Sequence, residues 1–244
     1  MKITILTLFP EMFDGFLNTS IIKKSRLKEL VEIETIDMRA FTKNKHTRVD
    51  DYPFGGGQGL VLMVQPVADA LASVRTPDSY VILTSPAGNR FTQRVARRIQ
   101  STSSHIILIC GHYEGFDERI LSMVDEEMSI GDYVLTGGEL AAMVMSDAIV
   151  RLCEGVITEA SHLDESFEND LLEYPQYTRP AVYEGEAIPD ILLSGHHDNV
   201  RKWRLKESLR KTWKVRPDLF YKRKLTKEEA ILLGEVLKEE IEKD

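Results

Sequence analysis

An α/β fold with a mostly parallel sheet, helices on both faces and a small all-helical domain at the C-terminal end is predicted by three observations. Short apolar, β-branched runs recur through residues 1–153, helical patterns separate them, and loops bearing glycine or proline follow the later runs. Strands alternating with helices in this way indicate parallel pairing, because each helical crossover returns the chain to the end of the sheet where the previous strand began.

The elements follow in order. Ile3 to Phe9 reads as a buried strand, and Pro10 suits a helix start, with Phe13, Phe16, Leu17, Ile21, Leu27 and Leu30 along one rough face. Val31 to Ile36 alternates and reads as a strand. Arg39 to Leu60 is a long polar loop ending in Phe54-Gly55-Gly56-Gly57-Gln58-Gly59, and ordered loops of that length are often functional. Pro66 opens a helix through Val74. Tyr80 to Thr84 is a strand, and Ser85 to Arg90 reads as a turn. A helix over Thr92 to Ile99 carries Arg94, Arg97 and Arg98, which a solvated face explains. His105 to Cys110 is a strand and Gly138 to Cys153 an amphipathic helix. Residues 154–180 form a flexible acidic connector, and residues 181–244 a helical module. There, Asp198 is placed to cap a helix in which Trp203 and Trp213 belong to the core. Thr226 to Glu229 is a capping-box pattern.

Composition narrows the function. No apolar run has membrane-spanning length. Cys110 and Cys153 lie far apart in apolar surroundings and read as buried thiols, so a cytoplasmic location is expected. The net charge of −8 conceals an asymmetry: His196 to Lys224 has 11 Lys and Arg against three acids, whereas Leu152 to Thr178 has seven acids and neither Lys nor Arg. A basic module joined to an acidic body suggests a nucleic-acid partner.

The first strand runs into Phe9-Pro10-Glu11, not a dinucleotide-binding glycine motif, and no G-x-x-x-x-G-K-[ST] phosphate loop occurs. Hydride and kinase chemistry lose weight accordingly. Three loops remain, Leu83 to Gly88, Gly111 to Gly115 and Ile130 to Gly138, and five of the 15 glycines lie between Gly111 and Gly138. Loops at the carboxyl ends of parallel strands are where ligands bind. Glycines there let a flat heterocycle approach the backbone. Strand punctuation and helix capping account for the same glycines equally well.

Ile109 to Gly115 (ICGHYEG) and Ser129 to Leu140 (SIGDYVLTGGEL) closely resemble the bacterial tRNA (guanine-N1)-methyltransferases. So do Leu6 to Phe13, Val49 to Gly59, Tyr174 to Pro180 and Leu192 to His197, blocks spread over almost the whole chain. The resemblance implies a SPOUT domain with a deep trefoil knot over residues 1–153, a rare exception to un-knotted topology, and a tRNA-binding domain over 181–244. It also implies a homodimer with active sites at the subunit interface, S-adenosylmethionine as methyl donor, dependence on Mg2+, and methylation of N1 of the guanosine at tRNA position 37. Carried over by motif, the donor sits among Leu83, Ser85, Pro86, Gly111, Tyr113, Glu114, Gly115, Ser129, Ile130, Gly131, Asp132, Tyr133, Val134, Leu135, Gly137 and Gly138. The guanine lies near Gly55, Gly56, Gly57, Gln58 and Gly59.

Guanine N1 carries a proton at neutral pH, so methylation needs a base, and a carboxylate shielded from water suits the role. The family's aspartate before Ser-Phe corresponds to Glu165 in Asp164-Glu165-Ser166-Phe167, a departure that lengthens the side chain by one methylene. Asp164 is the alternative base. Arg151 matches a family arginine suited to polarising guanine O6. Arg201, Lys202, Arg204, Arg210, Lys211, Lys214 and Arg216 are the expected phosphate contacts. A SPOUT ribose 2′-O-methyltransferase, a helical nucleic-acid-binding regulator with a ligand-sensing α/β domain, and a relative without activity are the alternatives.

Overall fold

The structure, a computed structural model, describes residues 1–158 and 165–242. The chain divides into two compact units, Met1–Thr158 and Glu159–Asp244.

The first unit is built on five parallel strands: β1 (Lys2–Thr7), β2 (Glu32–Asp37), β5 (Ser79–Arg90), β6 (His105–Cys110) and β7 (Glu126–Ser129), in the order β2-β1-β6-β5-β7. The central strand β6 is buried at every position. A strand covered on both faces must be apolar throughout, so its bounds coincide with the sequence reading. Side chains alternate between two cores. Ile106 and Leu108 join Ile3, Ile5, Phe13, Ile99, Met145 and Ile149 on one face. Ile107 and Ile109 join Leu6, Leu8, Val67, Leu71, Leu83 and Ile120 on the other. Each such side chain contributes roughly 1.5–3 kcal/mol on burial.

Helices α1 (Asp14–Leu17), α2 (Ser20–Leu27), α4 (Gln93–Thr102) and α5 (Glu139–Val150) supply residues to the first core, and α3 (Val64–Val74) to the second. Pro66 fits the first turn of α3, where its missing N–H has no intrahelical partner to lose. Thr92 caps α4 by accepting from the Val95 N–H.

Three sequence expectations change. The edge strand β7 has no apolar pattern in the sequence, because Glu126 and Glu127 hide it. Ser85 to Arg90 is not a turn that ends a strand: β5 runs to Arg90, and its register on β7 shifts between Thr84 and Asn89. Residues 85–88 therefore bulge out of a continuing strand, where proline loses no ladder bond. The long polar loop also contains a short antiparallel pair, β3 (Asp50–Asp51) with β4 (Val61–Leu62).

In the second unit, β8 (Val182–Tyr183) and β9 (Glu186–Ala187) make a hairpin, so this part is not all-helical. Helices α6 (His197–Val215) and α7 (Lys227–Ile241) pack around Leu209, Thr212 and Val236. Residues 165–180 fold into this unit: Leu171 is buried, and the Leu172 N–H donates to Thr212 Oγ1 at 2.8 Å. Thr226 and Glu229 form the expected capping box. By contrast His196, not Asp198, is the N-cap of α6. Asp198 lies in the first turn and pairs with Arg201 and Lys202. Trp213 is 37% exposed and is not a core residue.

Candidate functional site

The carboxyl ends of β5, β6 and β7 open onto a cavity of about 530 Å³, within the range of small-molecule sites. Its wall comprises the Ser85–Ala87 part of the bulge, the segment 111–116, and the loop 129–138 that leads into α5. Glycine is required where these segments meet. The Gly138 N–H donates to the Gly111 carbonyl at 2.7 Å. A Cβ on Gly138 would stand 2.0 Å from Thr84 Oγ1 and 2.8 Å from Cys110 Cα, and one on Gly111 would stand 2.9 Å from the Thr84 carbonyl. The Thr84 hydroxyl donates to the Ile109 carbonyl and accepts from the Gly111 N–H. The backbones of β5, the loop after β6 and the start of α5 therefore touch with no room for side chains between them.

All of the expected donor residues line this cavity except Leu83 and Asp132. Leu83 is fully buried in the core, one residue short of the opening. Asp132 points to solvent and pairs with Arg90 at 2.8 Å. The wall also includes Thr84, His112, Phe116, Leu121 and Met128, which sequence reasoning did not single out. His112 and Phe116 lie inside or beside the ICGHYEG block, so the motif contained their signal; Leu121 and Met128 arrive through tertiary packing.

Tyr113 has a left-handed backbone, φ +61°, a strained state for a non-glycine residue. It is held there by a bridge to Val61 and by the Glu114 N–H, which donates to the Leu60 carbonyl at 3.1 Å. Burial first, and then the negative charge of Asp50, raise its phenol pKa above the ordinary value, partly opposed by Arg39. The same contacts place the glycine loop beside the cavity. Gly55, Gly56, Gly57 and Gly59 all have positive φ, and a Cβ on Gly59 would lie 2.1 Å from Glu114 Cγ.

Behind the cavity lies a buried carboxylate that the sequence did not announce. Glu139, the first residue of α5, is 2% exposed and accepts a hydrogen bond from Thr7 Oγ1 at 2.8 Å. A carboxylate at a helix N-terminus interacts favourably with the helix dipole. Burial, reinforced by Glu139, pushes the Cys110 thiol well above its usual range. Cys110 is therefore a packing residue and not a nucleophile.

The other expected residues lie elsewhere. Arg151 is the half-buried C-cap of α5. Glu165 belongs to the second unit, where it lines a groove of about 310 Å³ with Tyr174, His197, Arg201 and Arg204. Asp164 lies outside the described residues.

The basic module is largely neutralised from within. Arg210 pairs with Glu207, Glu239 and Glu240; Lys214 pairs with Glu240, Arg201 with Glu228, and Arg216 with Asp218. Exposed Arg204 sits over the Tyr174 ring at 4.9 Å, and Tyr177 lies beside Trp203 at 6.4 Å. Lys211 is exposed.

Together, a parallel sheet, backbone-lined loops at its carboxyl end and the absence of dinucleotide or phosphate-loop motifs define an α/β protein with a partly apolar cavity on close-packed glycine loops. The chain belongs to the tRNA (guanine-1)-methyltransferase family: the model described as "tRNA (Guanine-1)-methyltransferase TrmD" matches residues 1–222. It is 52% identical over 240 residues to the tRNA (guanine-N(1)-)-methyltransferase of Dictyoglomus turgidum, covering 98% of each chain. To the enzyme of that name from Staphylococcus carnosus it is 53% identical over 236 residues, covering 96% of each. To that from Spiroplasma kunkelii it is 50% identical over 238 residues, or 98% of this chain and 89% of the relative. Among the described residues, no helix is long and apolar enough to cross a membrane.

Proposed function

We propose that this protein methylates N1 of guanine in tRNA, at the guanosine of position 37, with S-adenosylmethionine held in the cavity at the carboxyl ends of β5, β6 and β7. The cavity itself carries the reading, together with family membership over residues 1–222. It is large enough for a folded adenosylmethionine, apolar at Ile130 and Leu135, and rich in backbone groups at Gly111, Gly131, Gly137 and Gly138. These are the features that an adenine edge and a sulfonium chain require.

The donor supplies an electrophilic methyl group. Guanine lies by Gly55–Gly59 and Tyr113, next to the cavity, as the Gly59–Glu114 approach supports. As N1 takes the methyl group, the donor's S–CH3 bond breaks and leaves a neutral thioether; Glu165 accepts the N1 proton, and the Arg151 guanidinium stabilises the negative charge that grows on O6. Arg204 and Lys211 contact phosphates.

A homodimer is supported by exposed Leu140 and Val144, one turn apart on α5, and by Val134 at 83% exposure on the preceding loop. An apolar face like this is unusual on an unpartnered surface. The knot expected over residues 1–153 rests on family membership. Among the described residues, no three His, Cys, Asp or Glu side chains are grouped to hold a metal ion.

The test is labelled methyl transfer to a tRNA with guanosine at position 37, beside the same tRNA with adenosine there. Incorporation at N1 of the first alone is expected. Methylation of a ribose, or none, would overturn the reading.

A further inference from the structure

His112 and Glu139 lie on the two loops that enclose the cavity. His112 is in the loop after β6, and Glu139 closes the loop that leads into α5. Glu139 is anchored: its Oε1 accepts from Thr7 at the end of β1. Its Oε2 faces His112 Nδ1 at 4.0 Å. That nitrogen is buried and makes no hydrogen bond, a costly state for a polar atom. The imidazole is also restrained, tilted on Phe9 at 5.0 Å and edge-on to Tyr113 at 4.8 Å. Gly137 keeps the line between the two groups open. A Cβ there would fall 2.3 Å from Glu139 Oε2 and 2.5 Å from His112 Nδ1. Closing the gap to a charge-assisted hydrogen bond needs a movement of only about 1 Å.

From this arrangement we infer that His112 and Glu139 are a positioning pair for the methyl donor. With the donor between the loops, His112 Nδ1–H donates to Glu139 Oε2. The bond draws the His112–Tyr113 segment toward the start of α5 and holds the strained Tyr113 in place. Neither residue takes part in proton transfer to or from guanine. The inference rests on the cavity being the donor site.

Donor dissociation constants and steady-state constants for His112→Phe, His112→Asn, Glu139→Gln and the His112→Phe/Glu139→Gln double variant test it. Phenylalanine keeps the ring and loses the donor; asparagine restores an N–H near Nδ1. His112→Phe is expected to weaken donor binding about tenfold, the size of one charge-assisted bond. Its loss in kcat at saturating donor is expected to be smaller than its loss of donor affinity, and His112→Asn recovers most of the affinity. The double variant is expected to be no weaker than about the worse single variant, because both remove one bond. Unchanged donor affinity in His112→Phe, a loss confined to kcat, or multiplying effects in the double variant would each overturn the pairing. A wild-type protein that binds no donor would instead refute the donor-site reading. Thermal midpoints are measured alongside: equal destabilisation of both His112 variants with equal loss of affinity marks a merely structural residue.

Discussion

Gly138→Ala isolates the close packing on which the cavity depends. Gly138 is the N-cap of α5 with φ −80°, a backbone conformation open to any residue. Glycine is preferred over alanine at an N-cap, but the backbone alone predicts only a small loss, about 1 kcal/mol or less. Packing predicts a larger one. The new methyl group meets Thr84 Oγ1 at 2.0 Å, Cys110 Cα at 2.8 Å and the Gly111 nitrogen at 2.8 Å, and two of these three are backbone atoms. Thr84 could rotate only by giving up its bonds to Ile109 and Gly111. Overpacking of this kind costs about 1–3 kcal/mol, and with backbone unable to yield the upper end applies, about 3 kcal/mol. In a unit of this size that lowers the thermal midpoint by roughly 6–12 °C. The two loops must separate to admit the methyl group, so donor affinity should fall by about 100-fold. Calorimetric titration and thermal scans measure both effects. Gly234→Ala in α7 is the control: its Cβ meets nothing within 4 Å, and it should stabilise by about 0.5–1 kcal/mol. A Gly138→Ala protein with a wild-type midpoint and donor affinity within about twofold would refute the close-packing argument.

Glu165→Gln should abolish methyl transfer while donor binding stays near wild type, because the amide cannot take a proton; a near-normal single-turnover rate would reassign the base. Arg204→Ala and Lys211→Ala should weaken tRNA binding and each lower the salt dependence by about one phosphate contact, with little change in melting. Arg210→Ala should instead act through stability. Its side chain is 15% exposed among three glutamates, and breaking such a cluster costs about 3 kcal/mol; an unchanged melt would remove it from that role. His105 predicts a pH effect. Burial, and then the charge of Lys2, hold its imidazole below the ordinary value of 6.5, so the unfolded chain binds the proton more readily. Stability should then fall as pH drops below 6.5, and His105→Gln should lessen the slope of thermal midpoint against pH between about 7 and 5. Parallel slopes for the two proteins would exclude His105 as its source.

The fold was legible wherever burial imposes a simple pattern. β6 is apolar throughout because both of its faces are covered. Capping at Thr226 was readable because the box uses neighbours in sequence. The donor loops were readable through glycine, whose spacing survives in the ICGHYEG and SIGDYVLTGGEL blocks. β7 escaped because an edge strand needs only one partner, and two of its four residues are glutamates. Ser85 to Gly88 has turn chemistry, and only the pairing with β7 on either side makes it a bulge.

Charge shows the same limit. The stretch from His196 to Lys224 is basic along the chain, but α7 returns Glu228, Glu235, Glu239 and Glu240 against it from about thirty residues away. Part of the expected phosphate surface is thus internal ion pairing.

By itself the sequence determined the alternation of elements, the glycine blocks and the family to which they belong. These depend on local periodicity and on motifs contiguous in the chain. Tertiary structure alone decided that Thr84, Gly111 and Gly138 meet, that Glu139 is buried behind the cavity against Thr7, and that His112 faces it across 4.0 Å. Those contacts join segments far apart in sequence, and their geometry follows from which strands lie side by side.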